Sequence, residues 1–97
     1  MHRYHLSRAA DKDLSEIYAY TFEKFGEHQA DTYFDSLEAS LSKLAANPFL
    51  GVDVSSLRVG YRRLIHKRHA IYYKATKSTV VIMRVLGPGM SVDEQLL

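Results

Sequence analysis

The chain has 97 residues, of which 46% are hydrophobic and 25% charged, and its formal net charge is +2. This length supports one compact domain over residues 1–97, and the composition is that of a folded globular protein. The absence of cysteine excludes disulfides and thiolate metal sites and favours a reducing compartment, so we expect a cytoplasmic protein. No apolar run is long enough to span a membrane, which predicts no membrane partner.

The small net charge conceals a strong asymmetry along the chain. Residues 1–53 contain five Lys or Arg and nine Asp or Glu, whereas residues 54–92 contain eight Lys or Arg and no acidic residue. A basic half with no compensating acid attracts polyanions or acidic protein segments and steers their approach. The sequence therefore indicates a protein that contacts a macromolecular partner through its second half.

The first half of the chain predicts a short strand and two helices. Tyr4-His5-Leu6 is typical of an opening strand, and Ser7 is a good N-cap for a helix over residues 8–25 that Gly26 ends. A second apolar stripe runs from Ala30 to Ala45 and stops at Asn47-Pro48, because the residue before proline disfavours helix. The short connection predicts an antiparallel helical hairpin.

The second half predicts a sheet. Residues 49–57 are expected to be a loop, and three strands follow at Val59–His66, His69–Ala75 and Thr79–Leu86. The connecting turns are short enough to make these strands antiparallel neighbours, and the nearly continuous apolar character of the last one is typical of a central strand. Residues 90–97 predict only a tail or a helical turn. The expected fold is α+β, with the N-terminal strand, the helical hairpin and a three-stranded antiparallel meander, and with the helices packed on one sheet face.

No catalytic constellation emerges from the residue types and their spacing. There is no cysteine nucleophile, no Gly-x-Ser-x-Gly motif, no His-Glu-x-x-His spacing and no glycine-rich phosphate loop. The helical acids, Asp13 among them, are expected on the solvated faces of the helices. We therefore expect no enzymatic activity, no cofactor and no metal site.

A basic cluster interleaved with aromatic residues is the main candidate for function. It reads Arg58-x-x-Tyr61-Arg62-Arg63-x-x-x-Lys67-Arg68-His69, with Tyr73 and Arg84 expected on neighbouring strands. Arginine pairs with phosphates and carboxylates alike, so the cluster could hold nucleic acid or an acidic protein segment. The alternative is that alternating arginines only keep a half-exposed sheet soluble.

Six short motifs together resemble the ParE branch of the RelE/ParE superfamily of bacterial toxin–antitoxin systems. They cover nearly the whole chain, from about Tyr4 to Met90, in the family's order and with matching gaps. They are Tyr4-x-Leu6-Ser7-x-x-Ala10-x-x-Asp13-Leu14-x-x-Ile17-x-x-Tyr20, Phe25-Gly26-x-x-Gln29-Ala30-x-x-Tyr33, Leu44-Ala45-x-Asn47-Pro48-x-x-Gly51, Leu57-Arg58-x-Gly60-Tyr61-Arg62-Arg63, His69-x-Ile71-x-Tyr73 and Arg84-Val85-Leu86.

The resemblance implies a toxin of a type II toxin–antitoxin system that inhibits DNA gyrase by binding and is neutralised by a ParD-like antitoxin. It also implies that operator DNA is contacted only through the antitoxin. Met90 matches a methionine near the end of the ParE pattern. The residues expected to contact partners are Arg58, Tyr61, Arg62, Arg63, Lys67, Arg68, His69, Tyr73, Arg84 and Met90.

Two alternatives remain open from the sequence. The RelE-like branch shares the fold but cleaves ribosome-bound mRNA, and Arg58, Arg62 and Arg84 could stabilise the charge of such a reaction. That branch often carries a His or Tyr near the chain's end, where this sequence has Gly87-Pro88-Gly89. The third possibility is a non-toxic co-repressor subunit of the toxin–antitoxin complex.

Overall fold

The computed structural model describes residues 3–90 and 92–96, which form a five-stranded sheet with a helical hairpin on one face. The elements in chain order are β1 Arg3–Leu6, α1 Arg8–Phe25, α2 Glu27–Ala46, β2 Val52–Asp53, β3 Arg62–His66, β4 His69–Ala75, β5 Thr79–Leu86 and α3 Val92–Gln95. The predicted α+β architecture is confirmed.

Ser7 joins the first strand, the first helix and the sheet. Its side-chain oxygen accepts from the Ala10 amide at 3.0 Å, as an N-cap should, and donates to the Met83 carbonyl at 2.7 Å. Its own amide donates to the Ile82 carbonyl at 2.9 Å. The start of α1 is therefore fixed directly to β5.

The two helices form the predicted hairpin across a single glycine. Gly26 has φ +90, a left-handed backbone that glycine adopts without steric cost, and its amide closes α1 on the Phe22 carbonyl. The apolar stripes of both helices pack on the sheet and form the main core. Its buried members are Ala10, Leu14, Leu37, Leu41, Leu44, Ile71, Tyr73, Val80, Ile82 and Val85.

The sheet has the strand order β1-β5-β4-β3-β2. β1 runs parallel to β5, and all other neighbours are antiparallel. β5 is thus flanked on both sides, as its continuous apolar sequence predicts. The β3–β4 turn places Lys67 at φ 53, a conformation uncommon for a residue with a side chain.

The sheet face away from the helical hairpin carries a second, smaller core. Its buried residues are Val54, Tyr61, Tyr72, Leu86 and Leu96. Leu96 follows the short helix α3, so the C-terminal segment covers part of this face. We call this side of the sheet the hairpin-free face.

Three details differ from the sequence-based expectation. The third strand begins at Arg62 instead of Val59, because Gly60 at φ +82 and the bond from the Tyr61 amide to the Arg58 carbonyl make a turn there. The expected loop over residues 49–57 contains the two-residue strand β2, too short to produce a recognisable alternation. The expected tail includes α3, while residues 91 and 97 of that tail lie outside the described residues, as do residues 1 and 2.

Helices long and apolar enough to cross a bilayer do not occur in the described part of the chain.

Candidate partner-binding surfaces

The ten residues expected to contact partners do not form one surface. The structure divides them among four places: a buried ion pair, a loop anchor, the hairpin-free face and a groove beside the helical hairpin. The first two places hold their members in internal contacts, and the last two leave charged groups accessible.

Arg84 belongs to a buried ion pair with Asp13 of α1. Its Nε and Nη2 donate to the two carboxylate oxygens at 2.7 and 2.8 Å, and its Nη1 donates to the Gln95 carbonyl at 2.8 Å. Asp13 also accepts from the Val85 amide at 3.0 Å. Donation to the Asp13 carboxylate raises the pKa of Arg84, so the guanidinium stays charged. We call this arrangement the Arg84–Asp13 clamp.

The clamp bears on two sequence-based expectations, the solvent exposure of Asp13 and the partner contact of Arg84. Asp13 is 6% exposed, so the prediction that it lies on a solvated helix face is wrong. The Arg84 side chain is 18% exposed and already makes three hydrogen bonds. It connects α1, β5 and the residues after β5, and it offers a partner little free surface.

Arg62 and Tyr73 anchor the loop that precedes β2. The Tyr73 hydroxyl donates to the Pro48 carbonyl at 2.7 Å and accepts from the Gly51 amide at 2.9 Å. Arg62 Nη2 donates to the Gly51 carbonyl at 2.7 Å, and its guanidinium carbon lies 5.1 Å from the centre of the Phe49 ring. Tyr73 is completely buried, so it supports the neighbouring surface without touching a partner in this conformation.

The hairpin-free face collects Arg58, Tyr61 and Arg63. The buried Tyr61 ring lies between two cations, with the Arg58 guanidinium carbon 5.9 Å and Lys74 Nζ 5.6 Å from its centre. Arg63 faces Val52 of β2 and Tyr72 of β4 in the strand register. Its buried Nε has no hydrogen-bond acceptor within residues 3–90 and 92–96.

A set of exposed apolar side chains accompanies these arginines along the β2–β3 edge. Val59 is 84% exposed, and Ile65, two residues after Arg63 on the same strand, is 60% exposed. We name this set the edge patch, and its members are Phe49, Leu50, Val52, Leu57, Val59 and Ile65. Asp53 is the single acid between residues 49 and 65. The apolar edge patch therefore lies beside a stretch of chain that is mainly positive.

Lys67, Arg68, His69 and Met90 come together in a groove of about 630 Å³, which we call the hairpin groove. One wall is formed by α1 together with Gln29 and Tyr33 of α2, and the others are the β3–β4 turn and the end of β5 with the segment after it. Its other lining residues are Asp13, Glu16, Ile17, Tyr20, Thr21, Phe25, Gln29, Tyr33, Val85, Gly87 and Pro88.

Comparison with known proteins identifies the family. Residues 4–91 match the family described as ParE toxin of type II toxin-antitoxin system, parDE. The protein named Toxin ParE1 of Mycobacterium tuberculosis H37Rv is 38% identical over 95 residues, which is 97% of each chain. The chain belongs to the ParE toxin family. The protein named Toxin ParE1 of Caulobacter vibrioides is 35% identical over 96 residues, which is 99% of each chain.

A solved structure supports the same fold for this ParE toxin. The chain of a structure titled Chromosomal ParDE TA system from P. aeruginosa superposes with a TM-score of 0.77, covering 90% of this chain and 96% of that one. Their sequences are only 19% identical, so the likeness concerns the arrangement of helices and strands. The resemblance seen in the sequence motifs is confirmed at the level of the family and the fold.

Two histidines of this ParE toxin form a hydrogen-bonded cluster with α2 at the groove's edge. His66 contacts the hydroxyls of Ser36 and Ser40 at 3.1 and 2.7 Å, and His69 Nδ1 lies 2.5 Å from the Tyr33 hydroxyl. Burial, with smaller contributions from Lys67 and Lys43, lowers the pKa of His66. Burial, then His66 and Arg68, lowers the pKa of His69. Both rings are therefore held neutral near neutral pH.

Sequence reasoning missed several residues that shape these surfaces in the ParE toxin. Asp13 could have been recognised, because it lies three residues after Ala10 and four before Ile17 and so falls within the apolar stripe of α1. Tyr33 also lies on an apolar stripe, and nothing in that pattern reveals its contact with His69. Within the described residues, no group of three or more His, Cys, Asp or Glu side chains could hold a metal ion.

Proposed function

We propose that this ParE toxin inhibits DNA gyrase by binding it in the cytoplasm, without catalysing a reaction, and that a ParD-like antitoxin neutralises it. The observation that carries the binding mechanism is the edge patch with its arginines. Gyrase as the target, the antitoxin, and contact with operator DNA only through the antitoxin follow from the resemblance to the ParE branch.

The composition of the edge patch suits a protein partner. Large apolar side chains that stand together at a surface mark sites of protein association, and arginine is enriched in the interfaces that form there. Arg63 adds a half-buried guanidinium whose Nε has no acceptor within the described residues. A carboxylate from a partner would complement the rest of that guanidinium and add a charge-assisted bond.

The Arg84–Asp13 clamp weighs against the mRNA-cleaving alternative. An arginine that stabilises the charge of a cleaved phosphate must turn its donors toward the substrate. Arg84 directs its Nε, Nη1 and Nη2 toward Asp13 and the Gln95 carbonyl. His69 in the hairpin groove and the exposed Arg58 favour cleavage, since a histidine can transfer protons and an arginine can stabilise a phosphate charge.

A supercoiling assay with purified gyrase tests the proposed function. We expect the purified chain to inhibit supercoiling and the Val59→Asp/Ile65→Asp variant to lose about tenfold or more in potency, because a buried carboxylate replaces apolar contact. Phe22→Asp is the matched control, since Phe22 is also an exposed apolar residue but lies on α1. Gyrase that keeps full activity at excess toxin would contradict the proposal.

The cleavage alternative has its own measurement. Primer extension on mRNA after expression of the chain should show no new 5′ ends at translated codons. Cleavage that disappears in a His69→Gln variant would replace the binding mechanism by a ribonuclease. An electrophoretic shift of operator DNA by the toxin alone would instead transfer the DNA contact from the antitoxin to this chain.

A further inference from the structure

The hairpin groove has a strongly basic end formed by the β3–β4 turn. Lys67 and Arg68 are both exposed there, and Lys67 Nζ lies 5.6 Å from the centre of the Tyr33 ring. Lys67 has a positive φ in this two-residue turn, and both Lys67 and Arg68 line the groove. The function proposed above makes no use of this grouping.

His69 adds a third donor at the same end. Burial raises the pKa of Tyr33, whose hydroxyl shares a hydrogen bond with His69 Nδ1. When Tyr33 is the donor in this bond, the neutral imidazole carries its hydrogen on Nε2. Nε2 lies on the Gly87 side of the ring, 3.5 Å from where a Cβ on Gly87 would stand, and both residues line the groove.

The remainder of the groove offers aromatic and acceptor groups. Tyr20 and Phe25 on α1 are 60% and 64% exposed, so their rings are open to a planar ligand. Glu16 lies on the same wall and can accept hydrogen bonds from hydroxyl groups. The volume of about 630 Å³ is within the range of small-molecule sites.

We propose that the hairpin groove binds a nucleoside phosphate, either free or at the end of a nucleic acid strand. The phosphate would lie at Lys67, Arg68 and His69 Nε2, the base against the exposed rings of α1, and the ribose hydroxyls near Glu16. A terminal phosphate carries a charge of about −1.5 to −2 at neutral pH, which matches the two cations Lys67 and Arg68 better than the single charge of one carboxylate. The exposed rings of Tyr20 and Phe25 can stack on a base, a group that an acidic peptide lacks.

Calorimetric titration of the purified chain with AMP tests this inference, which does not depend on gyrase inhibition. We expect millimolar or tighter binding that Arg68→Ala weakens by about tenfold, since a hydrogen bond to a charged group is lost. Lys77→Ala is the matched control, because it removes an exposed positive charge from the β4–β5 turn. Circular dichroism of each variant verifies that the fold is unchanged.

Titrations with fragments and relatives of AMP show which groups of the ligand the groove binds. Inorganic phosphate and adenosine should each bind more weakly than AMP, and a short 5′-phosphorylated oligonucleotide should bind better than its 5′-hydroxyl counterpart if the site takes strand ends. Undetectable binding of both AMP and the 5′-phosphorylated strand would overturn the inference. So would AMP binding that Arg68→Ala leaves unchanged, or a glutamate-rich peptide that displaces AMP at lower concentration than phosphate does.

Discussion

At the scale of single residues, the arginines of this chain differ in what they can do. Arg62 and Arg84 hold parts of the protein together, whereas Arg58 and Arg68 are exposed and free to meet a ligand. Arg58, Arg62 and Arg68 lie in one basic stretch of sequence, which offers no means of separating Arg62 from the other two. The difference depends on which acceptor each guanidinium meets in the folded chain, and those acceptors are far away in the sequence.

The first residue-scale prediction concerns the Arg84–Asp13 clamp. Asp13→Asn should lower the free energy of unfolding by about 2 kcal/mol, less than a fully buried pair would lose because Arg84 retains some contact with water. Replacing both residues with apolar ones, as Asp13→Leu/Arg84→Met, should restore most of that loss because no charge is left uncompensated. Urea denaturation of the three chains measures both effects.

The comparison of single and double variants also distinguishes the clamp from simple packing. The comparison needs Asp13→Leu and Arg84→Met as separate single variants. If the loss of stability in the double variant equalled the sum of their losses, the two side chains would be acting independently. That outcome would mean that the ion pair adds nothing to the separate packing of Asp13 and Arg84.

At the scale of elements, the sequence predicted the long helices and strands well because their patterns extend over many residues. The apolar stripes of α1 and α2 and the β-branched and aromatic residues of β4 and β5 give signals that are spread over many residues. β2 has two residues and takes its structure from pairing with β3, so its own sequence carries no signal. The candidate surfaces were harder to predict, since the hairpin groove depends on how α1, the β3–β4 turn and the residues after β5 meet.

The element-scale prediction concerns the loop between α2 and β2. A Cβ on Gly51 would stand 2.6 Å from the Arg63 carbonyl oxygen and 2.7 Å from the Tyr73 hydroxyl, so this loop packs on the sheet only with glycine. Gly51→Ala should lower the free energy of unfolding by about 2 kcal/mol or more, as overpacking does. Thermal or urea unfolding measures the loss.

Gly87→Ala provides the comparison for that prediction. Among the described residues a Cβ at position 87 would meet His69, at the ordinary contact distance of 3.5 Å, so the effect of this substitution on stability should be small. Equal losses in the two variants would mean that the close approach at Gly51 relaxes without cost.

At the scale of the whole molecule, the charge asymmetry of the sequence becomes a difference between layers. The acid-rich first half supplies both long helices, and the acid-free stretch supplies β3, β4 and β5. One layer is therefore acidic and the other basic. A polyanion or an acidic antitoxin segment would be steered toward the sheet and its basic turn, and salt would slow that association.

The two histidines make the stability of the whole molecule depend on pH. His66 and His69 have pKa values lowered by burial in the fold, whereas the unfolded chain has the ordinary value near 6.5. At pH values between the lowered folded-state pKa values and about 6.5, the unfolded state therefore binds more protons than the folded state. The stabilisation is complete above about pH 6.5 and is lost as the pH falls below it through the folded-state values.

The groups around these rings determine the sign of the effect. His66 meets the hydroxyls of Ser36 and Ser40 and the Tyr33 ring, with Lys43 and Lys67 as its charged neighbours. His69 meets Tyr33, with His66 and Arg68 near it. No carboxylate is among these contributions, so nothing offsets the cost of protonating either ring.

Unfolding followed between about pH 5 and pH 8 should show the free energy of unfolding rising with pH most steeply below 6.5. His66→Gln/His69→Gln removes both titrating rings and should flatten this rise, although the variant is less stable at high pH through lost packing. His28→Gln is the matched control, because His28 is exposed on α2 and is outside the cluster. A slope retained by the double variant and lost in the His28 variant would place the pH dependence elsewhere.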